Sequence, residues 1–201
     1  MKLILASNNK NKISELDALM KGSGIEGVEI LSLADIGYTD EIEETGETFE
    51  ENARIKAKTI ADLGYCAVAD DSGLCVDALG GAPGVYSARY CGHHGDDEAN
   101  NRKLLEDLAN VPDEKRTAYF MSSIVCVMPD IGREIAVYGK AHGIILHEKH
   151  GCGGFGYDPL FYYPPLDKTF AELTPDEKNT VSHRGAAFRK FAEEFRKIKG
   201  L

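Results

Sequence analysis

A short apolar run that leads directly into two adjacent carboxylates is the feature that most limits how this chain can fold. Residues 67–69 have the composition of a buried strand, and Asp70, Asp71, Ser72 and Gly73 follow at once. Serine and glycine favour tight turns, so we expect the strand to end here with both carboxylates at its end. Their oxygens suit a hard cation such as Mg²⁺, which takes one or two carboxylates. A plain turn without a metal is the alternative interpretation.

Composition predicts an ordinary globular protein. The 201 residues are 43% hydrophobic and 28% charged, which suits one domain over residues 1–201. No apolar run approaches the roughly 18 residues of a membrane helix, and the amino terminus lacks a signal-peptide core. We therefore expect a cytoplasmic protein with no membrane partner. The five cysteines, none in C-x-x-C spacing, predict buried free thiols in a reducing compartment.

The net charge of −10 argues against nucleic acid as a partner, because that function needs a basic face. The acidic residues are unevenly placed and crowd the segment 35–47, whereas lysines recur near glycine-rich and asparagine-rich turns. This pattern leaves room for an anionic ligand that binds locally, above all together with a metal ion.

Hydrophobic periodicity and capping residues predict alternating strands and helices. A capping box at Thr48 and Glu51 opens one helix, and residues 129–132 join two strands into an antiparallel hairpin. The predicted strands are residues 2–6, 28–33, 67–69, 118–128, 134–141 and 160–163. The first predicted helix is capped by residues 7–9 and ends at Gly22, and two more cover residues 48–63 and 97–108. The last predicted helix carries an apolar stripe from Phe188 to Ile198.

Two further segments have the chemistry of phosphate binding. Residues 7–12 leave a strand and open a helix, whose free N–H groups favour an anion, and Lys10 and Lys12 add positive charge. Helix capping alone is the alternative. The acidic segment 43–56 ends in a helix that places Asn52 and Lys56 on one face, although a solvated charge run would look the same.

A glycine-rich segment has the chemistry of base recognition. Three glycines fall within residues 153–156, and Phe155 and Tyr157 could flank a planar ring while Asp158 accepts hydrogen bonds from it. Residues 177–179 and 182–185 add further polar groups. The alternative is a tight loop whose two aromatic side chains pack in the core.

Taken together, these segments resemble the inosine/xanthosine triphosphate pyrophosphatases. The shared runs, in order from residue 3 to about 195, are S-N-N-K-N-K, E-E-T-G-E-T-F-E-E-N-A-R-I-K-A, A-D-D-S-G-L-C-V-D-A-L-G-G-A-P-G-V-Y-S-A-R-Y, G-F-G-Y-D-P-L-F, E-K-N and S-H-R-G. The resemblance implies that dITP, ITP and XTP are hydrolysed between the α and β phosphates to the monophosphate and pyrophosphate, with Mg²⁺. It also implies an α/β fold, with a long twisted mixed sheet flanked by helices in two lobes around a central cleft, and a cytoplasmic homodimer.

The same resemblance implies a role for each matching position. Asp71 would be the proton acceptor and a metal ligand, Asp70 its assistant, and Glu43 a second metal ligand. The positions implied to bind substrate are Ser7, Asn8, Asn9, Lys10, Asn11, Lys12, Lys56, Ser72, Phe155, Gly156, Tyr157, Asp158, Lys178, His183 and Arg184.

Two other functions remain open at this point. The Maf-like pyrophosphatases are thought to share the fold, but their first loop favours serine and arginine where this chain has Asn9 and Lys12. A non-catalytic nucleotide-binding protein would have little reason to keep Glu43, the two adjacent aspartates and Lys178 together. Both alternatives fit the residues less well than the pyrophosphatase does.

Overall fold

The computed structural model of the protein describes residues 1–7, 9–23, 25 and 27–200. Of the predicted site residues, Asn8 and the side chain of Lys10 therefore lie outside the described part of the chain. The strands are β1 (Lys2–Leu5), β2 (Glu29–Ser32), β3 (Ala67–Val76), β4 (Thr117–Met128), β5 (Arg133–Ile145), β6 (Phe161–Tyr163) and β7 (Lys168–Thr169). The helices are α1 (Lys10–Gly22), α2 (Phe49–Ala61), α3 (Asp97–Asp107), α4 (Pro175–Val181) and α5 (His183–Lys199).

The strands form one mixed sheet. Their order across the sheet is β2-β1-β3-β4-β5-β6-β7. Strand β1 pairs in parallel with both β2 and β3, whereas β6 pairs antiparallel with both β5 and β7. Helices flank this sheet, so the predicted α/β class with a mixed sheet is confirmed. The predicted capping box of α2 is also present, with Thr48 and Glu51 bonded reciprocally.

Strand β3 differs from its prediction. It continues through both aspartates to Val76 and is buried along its length except at the half-buried Ser72, so the predicted turn at residues 70–73 was wrong. Gly73 serves close packing instead: a Cβ there would fall against the Ser87 hydroxyl and lie 2.6 Å from the carbonyl oxygen of Gly84. The carboxylates consequently project from the middle of a strand.

The chain divides into two compact units. The first unit comprises Met1–Asp71, Ser122–Gly139 and Arg184–Leu201, and the second comprises Ser72–Met121 and Lys140–His183. The expectation of one domain over residues 1–201 stays a prediction.

The first unit buries side chains on both faces of its strands. Leu3 and Leu5 of β1 contact the cluster that contains the phenylalanines of α5, whereas Ile4 faces the cluster that contains Ala53 and Ile60 of α2. Such two-sided burial is typical of parallel strands covered by helices. The predicted apolar stripe of the closing helix is confirmed, because Phe188, Phe191 and Phe195 are all buried.

The second unit has an aromatic core and a buried arginine. The Phe161 ring lies 4.7 Å from that of Phe120 and 4.8 Å from that of Phe170. Arg116 donates to the carbonyl oxygens of Ile145, Leu108 and Leu146 at 2.8, 2.8 and 2.9 Å. These bonds satisfy a side chain that would otherwise be costly to bury.

All five cysteines are free thiols, and two of them, Cys75 and Cys126, are buried. Cys152 is exposed, so the expectation of burial was wrong there, because it lies in a loop and not in a strand. Within the described ranges, no helix is both long and apolar enough to cross a bilayer.

Candidate active site

Two buried carboxylates and three cations meet in the first unit. Asp70 and Asp71 are 0% and 5% exposed. Lys12 Nζ lies 3.6 Å from Asp70 Oδ2 and 3.8 Å from Asp71 Oδ1, and Lys56 Nζ lies 3.4 Å from Asp71 Oδ1. Arg184 Nε donates to Asp70 Oδ2 at 3.2 Å. We refer to Lys12, Lys56, Asp70, Asp71 and Arg184 as the carboxylate centre.

The three cationic side chains of the carboxylate centre all lie on helices. Asn9 caps α1 by accepting hydrogen bonds from the backbone N–H groups of Asn11 and Lys12, both at 3.1 Å, which places Lys12 in the first turn. Lys56 lies on the buried face of α2, and Arg184 is in the first turn of α5. Residues far apart in the sequence are therefore brought to one strand.

The pKa values of the two adjacent carboxyls are shifted in opposite directions. Burial alone would raise the pKa of Asp70, but the charges of Lys12, Arg184 and Lys56 outweigh it and hold that pKa well below its ordinary value. Burial raises the pKa of Asp71, and the lysines do not cancel this effect. Asp70 is thus held as an anion, and Asp71 accepts a proton more readily than its neighbour.

The pKa values of Lys12 and Lys56 are also shifted in opposite directions. Burial lowers the pKa of Lys12, and the attraction of Asp70 does not compensate for it. Burial would lower the pKa of Lys56 as well, but the charges of Asp71 and Glu44 outweigh it and raise the pKa. An anion that approaches Lys12 would favour its charged form.

Three residues of this cluster were missed by sequence reasoning as site residues. Asn52 Nδ2 donates to Asp71 Oδ2 at 3.3 Å, and Asn52 Oδ1 accepts from Gly46 N–H at 2.8 Å. Glu44 accepts from Lys56 Nζ at 2.7 Å, and Glu15 pairs with Arg184. The sequence signals were the helical spacing of Asn52 one turn before Lys56 and the shared run over residues 43–57, which contains Glu44 and Asn52 but not Glu15.

The donor chemistry fits a magnesium ion that arrives with phosphates. Asp70 Oδ1 is buried and, within the described residues, accepts no hydrogen bond. Across the same ranges, no three His, Cys, Asp or Glu side chains are grouped closely enough to hold a metal by themselves. Mg²⁺ usually takes one or two carboxylates together with substrate phosphates and water, so a full protein cage is not required.

The predicted metal ligand Glu43 is exposed, and its neighbour Glu44 is the acidic residue that contacts the carboxylate centre. Exposure alternates along residues 41–47, so that Glu43 is exposed where Glu44 is half-buried. The role of Glu43 as a metal ligand stays a prediction.

A second cluster lies in the second unit around residues 153–158, which we call the Phe155 loop. Asp158 Oδ2 accepts from the backbone N–H of Phe155 at 2.8 Å and from Lys178 Nζ at 2.7 Å. Lys178 Nζ also lies 4.6 Å from the centre of the half-buried Phe155 ring. These contacts fix one aromatic face, one carboxylate and one ammonium group together.

Tyr157 and His183 pack more deeply. Tyr157 belongs to the core of the second unit and donates its hydroxyl to the carbonyl oxygen of Ser87 at 2.9 Å, as the core alternative predicts. The buried His183 ring stacks on Phe120 with centroids 4.8 Å apart and planes at 14°. The substrate-binding roles of Tyr157 and His183 stay predictions.

The predicted site residues divide between the two units. Those in the first unit are Ser7, Asn9, Asn11, Lys12, Glu43, Lys56, Asp70, Asp71 and Arg184, and those in the second are Ser72, Phe155, Gly156, Tyr157, Asp158, Lys178 and His183. Ser7 accepts a hydrogen bond from Asn9 N–H at 3.2 Å, and Asn11 is exposed.

The fold and these two clusters define a nucleotide-processing class of protein, and the comparisons with known proteins agree. The chain matches the Ham1 family over residues 3–194. It is 48% identical to the dITP/XTP pyrophosphatase of Clostridium perfringens over 100% of this chain and 98% of that protein. It is 50% identical to the dITP/XTP pyrophosphatase of Leuconostoc mesenteroides over 96% of each.

A solved structure of a HAM1 protein from Coxiella burnetii has a TM-score of 0.88 and 39% identity, and covers 98% of this chain and 99% of that one. The chain belongs to the Ham1 family. The resemblance drawn from the motifs is confirmed.

Proposed function

We propose that this protein hydrolyses dITP, ITP and XTP to the nucleoside monophosphate and pyrophosphate. The observation that carries the proposal is the carboxylate centre, where an ionised Asp70 and a more readily protonated Asp71 lie beside two lysines. The relatives from Clostridium perfringens and Leuconostoc mesenteroides, which bear the name dITP/XTP pyrophosphatase, support the same activity.

The carboxylate centre would act on the triphosphate. Although the net charge of the protein is −10, Lys12 and Lys56 supply positive charge to the phosphates of the nucleotide. Asp71 accepts the proton of the attacking water. Asn52 holds the Asp71 carboxylate through its 3.3 Å hydrogen bond. Most of the rate would come from neutralising phosphoryl charge and not from the base.

Magnesium fits this centre as a cofactor that binds with the substrate. We assign Asp71, together with Glu43 or its neighbour Glu44, as its protein ligands. The Asp70 Oδ1 atom, which accepts no hydrogen bond within the described residues, is a further carboxylate oxygen open to the ion. When bound, the ion would withdraw charge from the phosphate oxygens. The residues of the chain then have to hold the phosphates in place and take up one proton, which are the tasks that the two lysines and Asp71 suit.

The Phe155 loop would recognise the base. The Phe155 ring offers a stacking surface, and the Lys178 ammonium 2.7 Å from Asp158 offers a hydrogen-bond donor in a fixed position. A site that donates to the 6-oxo group of a deaminated purine leaves a buried donor unpaired when adenine binds, which penalises ATP.

Pyrophosphate release from ITP, dITP, XTP, ATP and GTP, measured in parallel with Mg²⁺ and with EDTA, tests this function. We expect rapid release from the first three nucleotides, slow release from ATP and GTP, and none with EDTA. Equal rates on ATP and ITP would contradict the substrate class, and full activity in EDTA would contradict the cofactor.

We further propose that the protein works as a cytoplasmic homodimer. The segment 81–90, which resembles a region near the family's dimer interface, presents an exposed Tyr86 ring with the Arg89 guanidinium 5.2 Å from its centre. Exposed aromatic and arginine side chains are enriched at protein interfaces. A monomer in sedimentation velocity at micromolar concentration would exclude the dimer.

A further inference from the structure

Both backbone polar groups of Gly156 are bound by the first turns of α3. The Gly156 N–H donates to Asp97 Oδ2 at 2.7 Å, and its carbonyl oxygen accepts from Asn101 Nδ2 at 2.8 Å. Gly156 has a φ of +61°, a conformation that favours glycine. The middle of the Phe155 loop is therefore attached to a helix through one glycine.

Asn101 is committed to this contact. The residue is 2% exposed, and Nδ2 also donates to the carbonyl oxygen of Asp97 at 2.8 Å. Two carbonyl oxygens around one side-chain atom require that atom to be the nitrogen, so the orientation of the amide is dictated by chemistry. Within the described residues, Asn101 Oδ1 is buried and accepts no hydrogen bond.

An unsatisfied buried acceptor costs stability. An apolar side chain at position 101 would avoid that cost, and it would also lose both donated hydrogen bonds. The asparagine thus gains nothing from its oxygen and contributes through its two donors, one of which ends on Gly156.

We propose that Asn101, assisted by Asp97, is a positioning residue for base recognition. This inference rests on the proposed function. Because the Gly156 N–H already donates to Asp97, it is not free to donate to a base. We assign the reading of the base to the neighbours of Gly156, and Asn101 determines where they lie. Phe155 precedes Gly156, and Asp158, two residues later, is held by Lys178 at 2.7 Å. Gly156 and Asp158 are then two of the points at which the loop is held, and Phe155 immediately precedes the first of them.

The adjacent Asn100 provides a matched control. It is also 2% exposed and lies on the same helix. Its Oδ1 accepts from the backbone N–H of Cys91 at 2.8 Å, and its Nδ2 donates to the carbonyl oxygen of Ala88 at 3.4 Å. Asn100 and Asn101 thus share residue type and burial, and both bond backbone groups, but Asn100 bonds residues 88 and 91 whereas Asn101 bonds Gly156 in the Phe155 loop.

The test compares Asn101→Ala, Asn101→Asp and Asn100→Ala with the wild type by steady-state kinetics on ITP and ATP. We expect both Asn101 variants to raise KM for ITP at least tenfold and to reduce the preference for ITP over ATP, with a smaller change in kcat. Asn100→Ala should keep the wild-type preference. Asn101 variants that match Asn100→Ala in both KM and preference would overturn the proposal.

Amide hydrogen exchange of the unliganded variants separates this inference from the proposed function. We expect Asn101→Ala to accelerate exchange in peptides that cover residues 153–160, and Asn100→Ala to leave them unchanged. If the wild type shows no preference among bases, the proposed function fails and the exchange result still decides the positioning role. Equal exchange in the two variants would contradict it. Thermal melting identifies any variant that is unfolded, and Asn101→Asp, which keeps the side-chain size, replaces Asn101→Ala in that case.

Discussion

Asp70 and Asp71 have the same side chain, adjacent positions and opposite electrostatic surroundings. Asp70 is anchored by Arg184 at 3.2 Å and Lys12 at 3.6 Å, so its charged form is favoured. Burial of Asp71 disfavours its charged form and raises its pKa. Replacing each aspartate in turn by asparagine should therefore have different effects on the free energy of unfolding: a decrease at Asp70, and no change or an increase at Asp71.

Asp70→Asn should destabilise the protein by about 3 to 5 kcal/mol near neutral pH, because it leaves buried cations without their partner. The lowered pKa of Asp70 means that its contribution is fully present above the ordinary carboxyl pKa of 3.8 and is lost as the pH falls below it. Urea unfolding of both proteins in EDTA should show a difference in free energy at pH 7 that shrinks below pH 3.8. A difference independent of pH would contradict this account.

Asp71→Asn should abolish turnover, with a loss of at least about a hundredfold in kcat, because no base remains to accept the proton of water. Its free energy of unfolding should stay near that of the wild type or rise, since the raised pKa shows that the fold disfavours the charged carboxyl. Steady-state kinetics check the loss of kcat, and urea unfolding checks the free energy of unfolding. A variant that retains most of its activity would assign the proton acceptor elsewhere.

At the scale of the element, β3 shows why a local pattern misled the prediction. Asp-Asp-Ser-Gly is good turn chemistry by itself. The strand persists because cations from α1, α2 and α5 compensate the carboxylates, and Arg184, the most distant of them, lies 114 residues after Asp70. Propensity over four residues carries no information about such partners.

Gly73→Ala tests the close packing of β3. The added methyl group would fall against the Ser87 hydroxyl and the Gly84 carbonyl oxygen, and we expect a loss of about 1 to 3 kcal/mol. Gly22→Ala is the control, since a Cβ at the end of α1 meets nothing within 4 Å. Chemical denaturation should show Gly73→Ala destabilised and Gly22→Ala unchanged or more stable. Equal stability of the two variants would contradict the packing role of Gly73.

At the scale of the whole molecule, local motifs predicted the polar segments, and the resemblance that those motifs carry implied the family and the mixed sheet. The segment that contains Glu44 and Asn52 was also predicted, but the contacts of these two residues, and the roles of Glu15 and Asn101, depend on which element packs beside them. Asn101, for example, lies 55 residues before its partner Gly156. The local charge also depends on which elements pack together, because a chain with a net charge of −10 still brings lysines beside Asp70 and Asp71.

The central claim is that water attacks the α phosphorus of a deaminated purine nucleotide. The most direct test is mass spectrometry of the products after the protein and Mg²⁺ are mixed with equal amounts of ITP, XTP, dITP, ATP and GTP in ¹⁸O-labelled water. We expect inosine, deoxyinosine and xanthosine monophosphates that carry one ¹⁸O atom, unlabelled pyrophosphate, and ATP and GTP largely intact. Label in the pyrophosphate, diphosphate products, or equal loss of all five nucleotides would contradict the account.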